Sequence, residues 1–307
     1  MFIEQGVKSE NKFWKYLVGS GLIILTNLAG QLPLLGAVIY EVFLKGRKYP
    51  SNNEELMRFF EPNLTLFLIL ITFVFTFGGI YFVVKYIHNQ TMLSVTTSRK
   101  KTDWERVLFS FSLWAIFTVG TTLFSYFSNP DNFELNFKLI PFLILFVIGT
   151  VLIPIQTSTE EYIFRGYLMQ GFANLSKNKW FPLLVTSIIF GSMHFSNPEV
   201  TKMGNIIFVY YIGTGLFLGI ITLMDEGMEL ALGFHAANNL VGALLVTSEW
   251  SAFQTHSVFK DVSNPDAGTD IILPVVIIYP ILLIIFSIKY KWTNWIEKLT
   301  GKIKVSE

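Results

Sequence analysis

The sequence contains no cysteine and little charge. Only 15% of its 307 residues are charged, whereas soluble domains carry about 25%. Without cysteine, the chain has no disulfide bonds, no thiol catalysis and no thiolate metal site. Histidine is also scarce, with four copies, and the formal net charge is +1. Any chemistry of this protein therefore depends on carboxylates, amides, hydroxyls and very few imidazoles.

Long apolar stretches occupy more than half of the chain. Eight stretches of 18 to 25 residues contain no Asp, Glu, Lys or Arg, and together they hold 171 residues. A helix needs about 20 apolar residues to cross a hydrocarbon layer of about 30 Å. The predicted fold class is therefore all-α, a polytopic membrane helical bundle of about eight transmembrane helices, which excludes a soluble enzyme and a nucleic-acid binder. The stretches are Tyr16–Tyr40, Pro62–Val84, Val107–Pro130, Leu139–Thr159, Trp180–Pro198, Met203–Met224, Leu230–Ser248 and Ile271–Ile288.

The distribution of basic residues predicts the orientation. If the N-terminus is cytoplasmic, the cytoplasmic segments hold 16 Lys and Arg and the outer segments hold 7, as the positive-inside rule requires. Both termini are then cytoplasmic, in a multi-pass protein of the cell membrane. The first stretch is longer than a signal-peptide core of about 7–15 residues, so it is expected to be a retained anchor. The loop Glu41–Glu61 has four basic residues and opposes the rule, and the short fifth and eighth stretches could be re-entrant.

Two adjacent carboxylates follow the fourth apolar stretch. On a helix, Glu161 and Arg165 are four residues apart with the acid first, which is the favourable order for an ion pair. Glu160 is rotated about 100° away, because a helix has 3.6 residues per turn, and it has no basic partner nearby in sequence. An unpaired carboxylate at the edge of an apolar segment suits a residue that takes a proton from water.

Two of the four histidines lie inside charge-free stretches. His194 follows Phe190 by four residues, which predicts that both lie on one face of a helix. His235 and Asn239 are also four apart and are expected to project together. Ionisable groups at membrane depth are costly and therefore mark functional sites. With Glu160, these residues form a set sufficient for hydrolysis by activated water, in which histidine and asparagine polarise the water and stabilise the oxyanion.

Three short motifs occur in order on successive apolar stretches. Together they resemble the type II CAAX prenyl endopeptidase and bacteriocin-processing (CPBP, Abi) family of intramembrane proteases. The resemblance covers roughly residues 139–248. The motifs are Glu160-Glu161-x-x-x-Arg165, Phe190-x-x-x-His194 and His235-x-x-x-Asn239.

The resemblance implies an intramembrane endopeptidase that acts on membrane-associated proteins or peptides. In bacteria, the family is associated with bacteriocin immunity and peptide maturation, and the composition of this chain is typical of a bacterial protein. The implied catalytic residues are Glu160, His194, His235 and Asn239, and the implied supporting residues are Glu161, Arg165 and Phe190.

The residue types are compatible with both a metal-dependent and a metal-free site. Family members are often described as metalloproteases, while another view has glutamate and histidine activating water without a metal. Glu160, His194 and His235 could bind Zn²⁺ with water as the fourth ligand. Asn239 is a poor zinc ligand but a good oxyanion donor, which favours the metal-free version.

The chain is expected to divide into three regions. Residues 1–130 would form N-terminal transmembrane helices of unassigned role, 131–250 the protease core, and 251–307 the last transmembrane helix and a basic C-terminal tail. Two other functions are left open: a non-catalytic membrane scaffold or immunity protein that binds a partner through its spans, and a transporter with a proton relay. A degenerate protease is expected to lack Glu160, His194 or His235, and this chain has all three. No inverted repeat supports a transporter.

Overall fold

The computed structural model describes residues 1–7, 12–265 and 268–303 and is 75% helical. The predicted all-α membrane bundle is confirmed, with one small sheet added. The α-helices are α1 (Phe13–Gly30), α2 (Leu32–Lys45), α3 (Asn53–Met57), α4 (Pro62–Phe82), α5 (Met92–Thr96), α6 (Trp104–Ser128), α7 (Leu139–Glu161), α8 (Met169–Ser176), α9 (Trp180–Ser192), α10 (Pro198–Met203), α11 (Ile207–Asp225), α12 (Glu229–Leu245), α13 (Thr269–Leu273), α14 (Tyr279–Tyr290) and α15 (Trp295–Thr300). The strands are β1 (Phe133–Leu135), β2 (Val246–Ser248) and β3 (Phe259–Asp261). Turns of π-helix cover Val83–Ile87, Tyr162–Leu168 and Pro274–Ile278, and 3₁₀ turns cover Ile3–Gly6, Pro130–Asn132 and Gly204–Ile206.

Six helical segments of the described chain are long and apolar enough to cross a membrane. Apolar side chains on their outer surfaces, such as Ile116, Phe124 and Ile284, are exposed. An exposed apolar surface of this extent requires contact with lipid. The chain is therefore a multi-pass membrane protein. The six segments are Phe13–Lys45, Pro62–Ile87, Trp104–Ser128, Leu139–Ser176, Pro198–Asp225 and Ile271–Tyr290.

The fifth and seventh apolar stretches form shorter helices. Helix α9 has 13 residues, a length of about 20 Å, and α12 has 17. Because α9 ends at Ser192, His194 follows the helix, and the prediction that Phe190 and His194 share a helix face is wrong. The weak helix formers Gly191 and Ser192 precede the end. The His194 ring binds the Phe190 carbonyl, which a continuing helix would pair with the His194 amide.

The connections between spans separate onto two faces of the bundle. On the first face, Asn53 donates to the Ser196 carbonyl and Arg58 donates to the Glu249 carbonyl. The sheet, in the order β1-β3-β2, joins the connections after α6 and α12 on the same face. Antiparallel β1 and β3 pair Glu134 with Lys260, and parallel β2 and β3 pair Thr247 with that same lysine.

On the second face, the N-terminus and three connections meet. The Phe2 amide donates to the Glu226 carboxylate, Gln5 donates to the Thr97 carbonyl, and the Lys179 amide donates to the carbonyl of Gly301. Successive spans that run in opposite directions place their connections on two opposite faces in this way. The cytoplasmic location of the second face remains a prediction from the positive-inside rule. Residues 304–307, the end of the predicted basic tail, lie outside the described residues.

A group of charged side chains, here called the loop cluster, holds the second face together. Arg99 donates to Asp225 at 2.9 Å and to Glu229 at 3.0 Å. Arg106 forms a second ion pair with Asp225, and the Trp292 indole donates to the same carboxylate at 3.1 Å. The loop cluster therefore ties the segment before α6 to the turn between α11 and α12 and to the chain after α14.

Close helix contacts fix the position of α12 and its neighbours. A Cβ atom at Gly233 would overlap the backbone oxygen of Val107, so α6 and α12 approach at backbone distance. A Cβ atom at Gly215 would lie 2.9 Å from the Ser187 oxygen, which requires glycine where α11 crosses α9. Small residues permit such approaches in membrane bundles. Helix α7 packs between α4 and α12, and this arrangement brings the candidate residues together.

Candidate active site

The first motif lies at the end of α7. Glu160 and Glu161 are its last two residues, and the π-helical turn Tyr162–Leu168 continues the helix into α8. Turns of π-helix are rare and frequently occur at functional sites. The two carboxylates thus lie inside a continuous helical segment of 38 residues, Leu139–Ser176.

The expected ion pair between Glu161 and Arg165 is present and buried. Arg165 Nη1 donates to Glu161 Oε1 at 3.0 Å, and the side chains are 1% and 0% exposed. His235 Nδ1 lies 2.8 Å from the same oxygen, and Arg165 Nη2 donates to the Gly215 carbonyl at 3.2 Å. Because a carboxylate paired with arginine accepts hydrogen bonds, Nδ1 of His235 carries its hydrogen. Glu161 therefore fixes the orientation of the His235 ring.

Glu160 is the more accessible carboxylate, with 17% of its side chain exposed. Its Oε2 atom lies 3.6 Å from His235 Nε2, and its Oε1 atom accepts a hydrogen bond from Gln156 Nε2 at 2.5 Å. Within the described chain, no lysine or arginine pairs with it. The four side chains Glu160, Glu161, Arg165 and His235 form what we call the glutamate–histidine cluster.

Asn239 joins this cluster through a residue that the motifs did not identify. His235 and Asn239 both lie on α12, as predicted. Asn239 Nδ2 donates to Gln156 Oε1 at 3.1 Å, and Asn239 Oδ1 accepts from Asn238 Nδ2 at 3.0 Å. Gln156 is 4% exposed and lies one helical turn before Glu160. The sequence signal that could have identified Gln156 is an amide side chain in a charge-free stretch, four residues before a candidate base.

His194 forms its hydrogen bond and its ring stacking with residues outside the glutamate–histidine cluster. Its Nδ1 atom lies 2.9 Å from the Phe190 carbonyl, and its ring stacks on Tyr211 with the centroids 4.3 Å apart. Phe190 lies between the groups, with its ring centroid 5.0 Å from His194, 6.0 Å from His235 and 4.4 Å from the Arg165 guanidinium carbon. Tyr211 had no motif to reveal it, because its contact with His194 depends on the crossing of α11 and α9.

The predicted zinc ligands do not converge on one point. Among residues 1–7, 12–265 and 268–303, no group of three or more His, Asp or Glu side chains is arranged to hold a metal ion. Glu160 Oε2 and His235 Nε2 face each other, and Glu161 already occupies the other ring nitrogen of His235. A catalytic zinc site uses three protein ligands and one water. The arrangement supplies two such ligands, so the residues do not fit a zinc centre.

Comparison with known proteins gives a family and a bacterial relative. Residues 136–241 match the family model described as type II CAAX prenyl endopeptidase Rce1-like. The uncharacterized protein YyaK of Bacillus subtilis (strain 168) is 29% identical over 252 residues, which cover 80% of this chain and 82% of that protein. No solved structure matches the chain. The three motifs fall within the matched region, and the resemblance of this chain to the type II CAAX prenyl endopeptidase family is thereby confirmed.

Proposed function

We propose that this protein is an intramembrane endopeptidase that hydrolyses peptide bonds of membrane-associated proteins or peptides. The observation that carries the proposal is the pair formed by Glu160 Oε2 and His235 Nε2, 3.6 Å apart inside an apolar bundle. Ionisable groups in such surroundings are costly and are kept for function. The protease family match over the segment that contains both residues supports the same conclusion.

Glu160 is the general base in this proposal. Its Oε1 atom is held by Gln156, while Oε2 faces His235 at a distance longer than a hydrogen bond. A water molecule bound at Oε2 gives its proton to Glu160 as its oxygen attacks the carbonyl carbon of the substrate. Glu160 then returns the proton to the amine nitrogen as the carbon–nitrogen bond breaks. General acid–base catalysis of this kind contributes roughly 10²–10⁴ in rate.

His235 supplies positive charge beside the reacting atoms. Its Nδ1–H is committed to Glu161, so Nε2 is the nitrogen that faces Glu160 and the substrate. When His235 is protonated, it and Arg165 balance the two carboxylates of the glutamate–histidine cluster. The Nε2–H of the imidazolium then donates to the oxyanion that forms on the attacked carbonyl.

Asn239 and His194 complete the proposed site. One amide hydrogen of Asn239 binds Gln156, which leaves the second hydrogen for the oxyanion. The Nδ1–H of His194 donates to the Phe190 carbonyl, which leaves Nε2 as an acceptor that holds and orients the attacking water. Phe190, Glu161 and Arg165 have supporting roles, because they pack against or hydrogen-bond the reacting groups.

The proposal also covers which part of the chain forms the protease and where in the cell it acts. Residues 131–250 form the protease core, and the protein acts in a bacterial cell membrane on substrates that reach it from the bilayer. Bacteriocin immunity and peptide maturation are the processes in which such cleavage would serve.

A comparison of cells tests the proposal. Cells with the native protein, Glu160→Gln or Thr157→Val are matched for expression, and their membrane proteomes and released peptides are quantified. Thr157 is the control, since within the described residues its buried hydroxyl bonds only backbone carbonyls of its own helix. A peptide or truncated protein that appears with the native protein and Thr157→Val, but not with Glu160→Gln, supports proteolysis. Identical products in all three cells would contradict it and favour a non-catalytic membrane scaffold.

A further inference from the structure

A row of hydrogen bonds crosses three helices and ends on Glu160. Its members come from α6, α12 and α7, and each donates one N–H to the next. Trp114 Nε1 donates to Asn238 Oδ1 at 3.1 Å, and Asn238 Nδ2 donates to Asn239 Oδ1 at 3.0 Å. Asn239 Nδ2 then donates to Gln156 Oε1 at 3.1 Å, and Gln156 Nε2 donates to Glu160 Oε1 at 2.5 Å. We call Trp114, Asn238, Asn239 and Gln156 the amide chain.

The two ends of the amide chain fix its direction. The indole of Trp114 can only donate a hydrogen bond, and an ionised Glu160 can only accept one. Each of the three amides between them must therefore present its oxygen toward Trp114 and its nitrogen toward Glu160. Reversal of any one amide would place two donors or two acceptors against each other at both of its neighbours. The chain consequently has one satisfied arrangement, which restricts the rotamers of all three amides.

The far end of the amide chain is rigidly packed. Trp114 is 7% exposed, and its ring lies 4.5 Å from that of Phe234 and 5.0 Å from that of Phe117, measured between centroids. Trp114 belongs to α6, outside residues 136–241 that match the family model. A fixed side chain from the N-terminal region is thus connected to the candidate base through side chains that are buried or partly buried.

In the part of the chain that the structure describes, Glu160 accepts a hydrogen bond at one oxygen only. Gln156 occupies Oε1, and Oε2 is left toward His235. Two torsions beyond Cβ would otherwise let the carboxylate turn, and a base that turns away from its water loses rate steeply. The Glu160 side chain therefore depends on Gln156 for the position of its reactive oxygen, since its own helix supplies no cation to hold it.

We propose that Gln156 is a positioning residue that aims Glu160 Oε2 at the substrate water, and that the amide chain anchors Gln156 on Trp114 of α6. The proposal rests on the proposed function in that Glu160 is the base. It gives α6, within the N-terminal region of unassigned role, a part in the site. It also gives Asn239 a second task besides oxyanion binding, because Asn239 is the link between α12 and Gln156.

Chemical labelling tests the amide chain without any substrate. The full-length protein in phospholipid vesicles is treated with dicyclohexylcarbodiimide, an apolar reagent for carboxyl groups, and the labelling rate of Glu160 is measured by mass spectrometry. Gln156→Met keeps the length and volume of the side chain but neither hydrogen bond. We expect Glu160 to be labelled several-fold faster in this variant, because Oε1 is no longer covered. Thr157→Val, at the next position, should react at the native rate.

A second variant keeps the test decisive if Gln156→Met folds poorly. Trp114→Phe removes the indole N–H and keeps an aromatic ring in the same pocket, so the effect on Glu160 labelling should have the same direction and be smaller. Native labelling rates in both folded variants would overturn the proposal. An equal acceleration in Thr157→Val would overturn it as well, since general loosening of α7 would then explain the result.

Kinetics separate positioning from substrate binding. With the substrate that the cell comparison identifies, Gln156→Met should lower kcat roughly ten- to a hundredfold, the range for one hydrogen bond to a charged group, and leave KM unchanged. A raised KM with native kcat would make Gln156 a binding residue and contradict the proposal. If Glu160→Gln itself kept full activity, the proposed function would fail, while the labelling rates would still decide whether the amide chain holds Glu160.

Discussion

Two buried clusters of charged side chains lie in this bundle, and their carboxylates differ in how completely they are hydrogen-bonded. In the loop cluster, Asp225 accepts from Arg99, Arg106 and Trp292. Glu229 accepts from Arg99 at one oxygen and from the Asp103 amide at the other. Every carboxylate oxygen there has a donor. In the glutamate–histidine cluster, Glu161 Oε1 accepts from Arg165 and His235, while its buried Oε2 has no donor in the described chain. Glu160 has no cation there, and its Oε2 faces the distant Nε2 of His235.

The comparison separates charges that hold the fold from a charge that can react. A carboxylate whose two oxygens are occupied by arginine and indole donors is held in place, and loss of one partner leaves a buried charge unpaired, which is costly. Glu160 is held at one oxygen by an uncharged amide and is partly exposed at the other. Burial of charge alone therefore does not identify a catalytic group, whereas a carboxylate with no arginine or lysine partner and an oxygen that is partly exposed is a candidate.

Glu161→Gln should have the largest effect, because it should lower both the stability of the fold and the activity. The buried Arg165 would lose its counter-charge, since its other hydrogen bond goes to a neutral carbonyl. Breaking a buried pair in this way costs about 3–5 kcal/mol, so both thermal stability in detergent and activity should fall. Arg165→Met with Glu161→Gln is the matched control, because it removes both charges and should recover stability without recovering activity. A single variant as stable as the native protein would contradict the assignment of this ion pair.

Asn239→Ala should lower the rate strongly and the stability little. Loss of one oxyanion donor costs roughly 10²–10³ in kcat, and the same substitution interrupts the amide chain at its centre. The measurement is kcat on the identified substrate, with the midpoint of unfolding recorded beside it. Asn238→Ala is the control that cuts the chain but keeps the proposed oxyanion donor, and its loss of rate should be smaller. Equal losses would remove the oxyanion role.

Asp225→Asn tests the loop cluster, the second of the two clusters compared. It leaves Arg99 and Arg106 with one fewer charge to bind, and both arginines keep partial contact with solvent. We expect a loss of about 3 kcal/mol in the free energy of unfolding. The activity of each folded molecule should stay native, because the loop cluster touches no reacting group. A drop in kcat at unchanged folded fraction would show that the two clusters are coupled.

Lys260→Ala should have the smallest effect. The hydrogen bond from Lys260 at 2.9 Å holds the pKa of Glu249, on the exposed connection after α12, below its ordinary value. Such a pair stabilises the fold above the pKa of Glu249 in the unfolded chain, and this contribution is lost as pH falls through the lowered folded value. Exposed pairs contribute little, so the midpoint of unfolding and its pH dependence should stay close to native. A large shift would mean that the loops of this face govern stability.

Much of this architecture follows from the sequence, and the exceptions have physical causes. Charge-free runs of sufficient length reveal a membrane bundle, and the spacing of Glu161 with Arg165 predicts their ion pair. The length of a charge-free stretch does not fix the length of the helix that it forms, however. The fifth stretch continues to Pro198, whereas α9 ends at Ser192. The fifth stretch therefore spans less than a full membrane crossing, and His194 lies beyond α9.

The partners of the candidate residues could not be read from spacing. Gln156 contacts Glu160 along one helix, a relation that helical periodicity allows, but its bond to Asn239 depends on how α7 and α12 cross. Trp114 is further removed, since α6 meets α12 only because glycine at 233 admits backbone contact. The roles of the site residues and the division into three regions stay predictions.

Whether Glu160 is the general base is best decided by the cleavage rates of purified native protein and Glu160→Gln in phospholipid vesicles, on the substrate found in cells. Glutamine has nearly the same shape as glutamate but cannot take a proton from water. We expect Glu160→Gln to unfold at the native temperature and to lose roughly 10²–10⁴ in kcat. Equal rates for the two proteins, at equal folded fractions, would contradict that role of Glu160.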